Sequence, residues 1–140
     1  MNRFVFFVAL ALIASCSSQP VYTEAPINSE HVVIDTKSIK QDIPQFFTYR
    51  HAGRKISFFV VKHNNEISSF FDACHKCYPQ KRGFRSEGPY IICRECNERY
   101  PLSEIKEGIG SCYPIKLEGA VDGNLYKIPL NKLTEKAGFF

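Results

Sequence analysis

Hydrophobic and polar positions divide the chain into regions of different texture. Phe4 to Ala14 is an unbroken apolar run of eleven residues behind a single charge at Arg3. It falls short of the roughly 20 residues a bilayer-spanning helix needs, and the small residues at its end fit a secretory signal. Residues 16–44 then carry Ser, Gln, Pro, Thr, Glu and Asn with only short apolar breaks such as Val32, Val33 and Ile34. That pattern predicts a tether, with room for one strand at its end. From Gln45 the texture changes. Phe46, Phe47 and Tyr49 lead to a turn at His51, Ala52 and Gly53, then Ile56 and Phe58 to Val61 form an aromatic and β-branched run. Asn64 and Asn65 supply the next turn, and Ile67 to Phe71 a third strand. Three strands joined by loops this short predict an antiparallel meander, because a parallel pair needs a long crossover.

Shorter apolar runs follow at Tyr90 to Ile92, around Tyr100 and Leu102, and from Tyr113 to Leu117. A turn at Asp122, Gly123 and Asn124 then opens a last hairpin arm, Leu125 to Ile128. No stretch carries a helical period, so the fold class is all-β or β-dominated: a small antiparallel domain with its cysteines on loops. The organisation read from these patterns is a signal at 1–15, a tether at 16–44, a β-rich domain at 45–133 and a C-terminal tail at 134–140.

Composition changes this picture little. Without the signal, 125 residues remain, enough for one core and too few for two. Twelve Phe and seven Tyr with no Trp imply an aromatic, β-rich interior. Lys and Arg number 18 against 14 acids, and losing Arg3 leaves a charge of about +3. A charge this mild, without a basic run and behind an export signal, argues against nucleic acid as a partner.

The candidate chemistry lies in six cysteines: Cys16, Cys74, Cys77, Cys93, Cys96 and Cys112. Cys74 with Cys77, and Cys93 with Cys96, make two CxxC pairs separated by fifteen residues. Each such turn aims two thiolates at one point, and two turns complete a tetrahedral sulfur shell. Soft sulfur ligands suit zinc, a single iron or an iron-sulfur cluster, and spacing does not choose among them. A disulfide framework and a thiol redox pair are the alternatives, since exported proteins meet an oxidising compartment. Five thiols outside Cys16 is an odd number for a framework, and disulfides within each CxxC would close loops too small to stabilise much. Cys112, between glycines and Pro114, is a fifth candidate ligand, a thiol beside the centre or a buried core cysteine. His75, inside the first pair, is the one histidine placed to ligate. Lys76, Lys81, Arg82, Arg85, Arg94 and Arg99 crowd the same region against Glu87, Glu95 and Glu98, and would offset the negative charge of four thiolates around a divalent ion. No nucleophile, base and orienting group come together in sequence, so the chain reads as an electron carrier or metal-binding protein rather than an enzyme.

Two resemblances sharpen these readings. Leu12, Ile13, Ala14, Ser15 and Cys16 resemble the lipobox of bacterial lipoproteins, which implies a lipid on Cys16 and attachment to a membrane in the cell envelope; Ser17 after it implies the outer membrane, facing the periplasm, in a Gram-negative cell. The second resemblance runs through Phe71, Asp72, Ala73, Cys74, Cys77, Gly83, Phe84, Gly88, Ile92, Cys93, Cys96, Tyr100, Ile105, Gly110, Cys112, Pro114 and Leu117. This order of residues resembles the FtrD-like family of bacterial iron-sulfur proteins. It implies a membrane-associated or periplasmic protein binding an iron-sulfur cluster or iron, passing electrons to a redox partner or to an iron-transport component. Family members often carry transmembrane helices ahead of this domain, a role the lipid on Cys16 would fill here. Ser111 and Tyr113 depart from the family's pattern of Gly and Asn. In outline the segment also looks like a Rieske domain, or a rubredoxin or zinc-ribbon knuckle pair, with Cys77 and Cys96 where a Rieske centre has histidine. An all-cysteine centre of that kind would have a lower potential, because imidazole ligands raise it.

Overall fold

The computed structural model describes residues 19–108, 110 and 112–140. The expected signal peptide and Cys16 lie outside the described residues. Among the described residues, twelve strands form three sheets. The central one has five strands in the order β1 (Tyr22–Glu24), β4 (Gln45–His51), β5 (Arg54–His63), β6 (Glu66–Cys74) and β10 (Pro114–Leu117). The expected meander is its middle: β4, β5 and β6 pair antiparallel. Both of its turns place two residues at positive φ, Ala52 with Gly53 and Asn64 with Asn65, the geometry that matches the twist of paired strands.

Successive side chains on a strand point to opposite faces, so the unbroken run Phe58 to Val61 requires a sheet buried on both sides. Phe47, Phe58 and Phe71 stand in register on one face, and Phe46, Phe59 and Phe70 on the other. Their rings stack across the strands, with centroids 5.5 Å apart for Phe47 and Phe58 and 5.4 Å for Phe59 and Phe70. Such pairs contribute about 0.5–1.5 kcal/mol each beyond the area they bury.

The first face is covered by a four-stranded sheet in the order β11 (Ala120–Asp122), β12 (Leu125–Pro129), β3 (His31–Asp35), β2 (Ile27–Asn28). Val32, Ile34, Tyr126 and Ile128 fill the layer between, closed by Leu133 on the short helix α1 (Leu130–Thr134). The second face is covered by a three-stranded sheet, β7 (Phe84–Glu87), β8 (Tyr90–Cys93) and β9 (Arg99–Pro101). Phe84, Ile91, Tyr100, Leu102 and Ile105 pack there together with three of the cysteines.

Two expected segments prove to be part of the fold. Within the region read as a tether, β3 pairs along its whole length with β12 and buries Val32 and Ile34, and β1 adds a parallel strand to β4. The short apolar break Val32 to Ile34 is a buried strand because the first face of the meander needs a cover. The tail is likewise docked: Phe139 stacks on Tyr78 at 4.2 Å and Phe140 lies 6.2 Å from Phe71. The segment 113–117 also pairs with β6, while the last hairpin forms between β11 and β12. Among the described residues, no helix is long and apolar enough to cross a membrane.

Candidate metal centre

The cysteines reach one point because three strand ends do. Cys74 is the last residue of β6 and Cys93 the last of β8, so each CxxC turn begins where a ladder stops. Cys77 donates its backbone N–H to Cys74 Sγ at 3.3 Å, the contact a knuckle turn makes with its first sulfur. In the second knuckle Asn97 adopts a left-handed φ of 60°, and its N–H returns to the Cys93 carbonyl at 2.9 Å. Cys112 arrives on the third strand end. Pro114 is in register with Cys74, and His75 donates its N–H to the Tyr113 carbonyl at 2.9 Å, which fixes Cys112 against the first knuckle.

The sulfurs of Cys74, Cys77, Cys93 and Cys112 all lie within 4.8 Å of one another. Cys96 stands at the rim: its Sγ is 2.8 Å from Cys112 Sγ, but it is solvent-exposed and lies outside that mutual group. Cys112 Sγ is also 2.6 Å from Cys74 Sγ and 3.5 Å from Cys77 Sγ. The structure therefore brings all five candidate thiols together and puts the fifth at the middle of them. His75 is not among these converging groups. Its ring is exposed and lies flat on Tyr113, 4.9 Å away and 7° from parallel.

The donor set fits a thiolate-bound metal or cluster. Sulfurs 2.6 and 2.8 Å apart are farther than the ~2.05 Å of a disulfide, so these are free thiols gathered at one point. Burial, then the neighbouring sulfurs, push the Cys112 thiol far above its ordinary range, and burial raises Cys77 and Cys93. On Cys96 burial also acts upward, but hydrogen bonds from Cys112, from the Glu98 amide and from the other thiols outweigh it and lower the thiol. A buried polar atom points the same way. The hydroxyl of Tyr100 has no hydrogen bond of good geometry among the described residues, with the Cys112 loop beside it: a Cβ on Gly110 would lie 3.9 Å from that oxygen. Burial, then the charges of Cys112, Glu98 and Cys74, raise Tyr100 well above the usual phenol range.

Asp72, two residues before Cys74, fastens the surroundings. Its carboxylate accepts the Phe84 N–H at 2.6 Å and the Tyr22 hydroxyl at 2.5 Å. One buried group thus ties β1, β7 and the cysteine-bearing end of β6 together. Burial raises its pKa to about 6 against the opposing hydrogen bonds and the Arg94 charge. Gly83 must be glycine to let this happen: its φ is +65°, and a Cβ there would stand 2.6 Å from Asp72 Cγ. The sequence names Asp72 among the residues of the family resemblance without a role, and gives no sign of Tyr22. A lone acid between Phe71 and Ala73, inside an apolar run, was the available signal, since an unpaired carboxylate is not left in a core.

Several of the expected cations are paired with acids: Arg82 with Glu95 at 3.0 Å, Arg99 with Glu87 at 3.1 Å and Arg85 with Glu87 at 3.8 Å. Arg94 instead donates to the Arg82 carbonyl at 2.8 Å.

Fold and site together define a β-sheet domain built around a thiol-lined metal site. The profile of the membrane iron-sulfur containing protein family, FtrD-like, matches residues 39–140, and the chain belongs to that family. A search of curated proteins finds no significant match. Among solved structures, the chain is similar to the ferredoxin of carbazole 1,9a-dioxygenase from Nocardioides aromaticivorans IC177, at 17% identity and a TM-score of 0.43, over 72% of this chain and 98% of that one.

Proposed function

We propose that this chain is a lipid-anchored envelope protein that binds an iron-sulfur cluster through its cysteines and passes electrons in iron uptake. The convergence of five sulfurs from three strand ends carries the reading, and membership of an iron-sulfur family supports the choice of iron. Cys74, Cys77 and Cys93 belong to every ligand set considered, with Cys96, from the spacing, or Cys112, from the geometry, completing it. A cluster held there supplies a redox couple whose potential depends on its charge, on hydrogen bonds to the sulfurs and on solvent exposure.

The chain's own residues act on each of those quantities. The backbone N–H of Cys77 donates to Cys74 Sγ, and the buried Tyr100 hydroxyl, without a partner of its own among the described residues, lies beside Gly110. Phe84, Ile91, Leu102 and Ile105 exclude water from the inner side. Arg94, inside the second knuckle, carries positive charge next to Cys93 in the chain, which lowers the cost of adding an electron to an anionic centre. The lipid on Cys16 would hold the domain at the membrane surface, near an iron-transport component or another redox partner.

A second reading has its own support. A tetrahedral shell with metal–sulfur bonds of about 2.3 Å has sulfurs about 3.8 Å apart, and a group within 4.8 Å of one another suits a single zinc or iron ion as well. Zinc would make the domain a structural interaction module. The deciding experiment is iron, zinc and acid-labile sulfide analysis, with an absorption spectrum, on the mature chain purified without oxygen. Iron with sulfide and visible colour is the expected result; stoichiometric zinc in a colourless, redox-silent protein would overturn it.

A further inference from the structure

We infer that Cys112, and not Cys96, is the fourth ligand of the centre, leaving Cys96 as a solvent-facing thiol at its rim. The inference deepens the reading that the cysteines hold a metal centre, and it reverses the assignment that two CxxC pairs invite.

Three independent features of the fold separate the two thiols. The first is position: Cys74, Cys77, Cys93 and Cys112 form the mutually close group, and Cys96, although its sulfur touches Cys112, falls outside it. The second is burial. Cys112 is 4% exposed, in line with Cys74 at 2% and Cys93 at 1%, while Cys96 is open to solvent. A cluster ligand that is itself exposed leaves its metal open to water and oxidants on that side, and a buried one does not.

The third is how each sulfur is held. Cys112 is clamped by the pairing of Pro114 with Cys74, by the amide of His75 on the Tyr113 carbonyl and by the stacked rings of His75 and Tyr113. These contacts tie it to the knuckle that carries Cys74 and Cys77. Gly108 and Gly110 take φ of 62° and 88°, and a Cβ on Gly110 would stand 3.9 Å from the Tyr100 hydroxyl. Cys96 sits on a turn between exposed Glu95 and Asn97, outside any ladder. A rigid placement costs less to order at the moment of binding, and Cys112 has it already.

The test compares the wild-type protein with C96S and C112S, all purified without oxygen, by metal and sulfide content per chain. C96S is expected to keep the wild-type complement and C112S to lose nearly all of it. The reverse pattern, equal loss in both or full retention in both would overturn the inference. Because C112S could misfold, the wild-type holoprotein is also treated with a maleimide and mapped by peptide mass spectrometry. Cys96 should be labelled while Cys112 stays protected until a chelator strips the metal; protection of Cys96 with labelling of Cys112 overturns the assignment without any variant. A wild-type protein that holds zinc and no sulfide would defeat the iron-sulfur reading alone, since zinc content and labelling still report the ligand set. A protein that binds no metal under any of these conditions would defeat both.

Discussion

Replacing Asp72 by alanine tests whether the carboxylate beside the cysteines organises the fold or merely occupies it. The side chain is 6% exposed and accepts two hydrogen bonds, from the Phe84 N–H and the Tyr22 hydroxyl. In D72A the Phe84 amide, on a residue with no exposure, is left with no acceptor, which costs about 1–3 kcal/mol. Tyr22 is only partly buried and can turn to water, so its lost bond adds about 0.5–1.5 kcal/mol. Against this stands the relief of no longer burying a carboxylate, worth about 3 kcal/mol at neutral pH for a pKa raised to about 6. The two nearly cancel against the wild type, so the bonds are read from D72N, which also removes the charge but keeps one acceptor oxygen: D72A is expected to be about 1–3 kcal/mol less stable than D72N. It should appear in denaturant unfolding of the metal-loaded protein as a lower midpoint at unchanged slope. Y22F, which removes one of the two donors, should lose about 0.5–1.5 kcal/mol. If D72A were as stable as D72N, the acceptor oxygen would contribute nothing, and Asp72 would not be the fastening of β1, β6 and β7.

The other expectations probe separate parts of the structure. G83A should destabilise the protein by about 2–4 kcal/mol and lower metal retention, because the left-handed φ costs about 1–2 kcal/mol and the new Cβ drives Asp72 off its partners; wild-type melting and metal content would show that the approach is not needed. Y100F should leave metal content unchanged and shift the reduction potential downward in voltammetry, since a donor near the sulfurs stabilises the reduced, more negative state; an unmoved potential would mean that the hydroxyl does not reach the centre. Deleting Phe139 and Phe140 should lower stability by about 1–3 kcal/mol through the lost stacking on Tyr78 and Phe71, whereas a tail that only trails into solvent would be removed without effect.

The sequence carried the meander well because its signals are local. Paired turn residues, strand-length runs and aromatic content act over ten residues or fewer, and β4, β5 and β6 fall where those signals stand. What escaped was coverage. Phe58 to Val61 is apolar on both faces of its strand, which already required layers on both sides, but nothing near it names the segments that supply them. One cover, β3, comes from a stretch whose polar neighbours read as tether, and its burial depends on β12 almost a hundred residues away. The docked C-terminus was hidden for the same reason: Phe139 and Phe140 look like a loose end until Tyr78 and Phe71 are seen beneath them.

The candidate site shows the same division in sharper form. Spacing identified both CxxC turns, because a turn is local and its two sulfurs must converge whatever the rest of the chain does. Choosing the fourth sulfur needs a comparison across the fold. Cys96 is near Cys93 in sequence, but its turn leaves it facing solvent, while Cys112 is sixteen residues further on and is delivered to the centre by the ladder between β6 and β10. Nor can spacing see Tyr100, whose buried hydroxyl lies beside Gly110, ten residues further along the chain. A CxxC pair therefore shows where the sulfurs begin to gather, and the strand ends decide which of them are held well enough to share a metal.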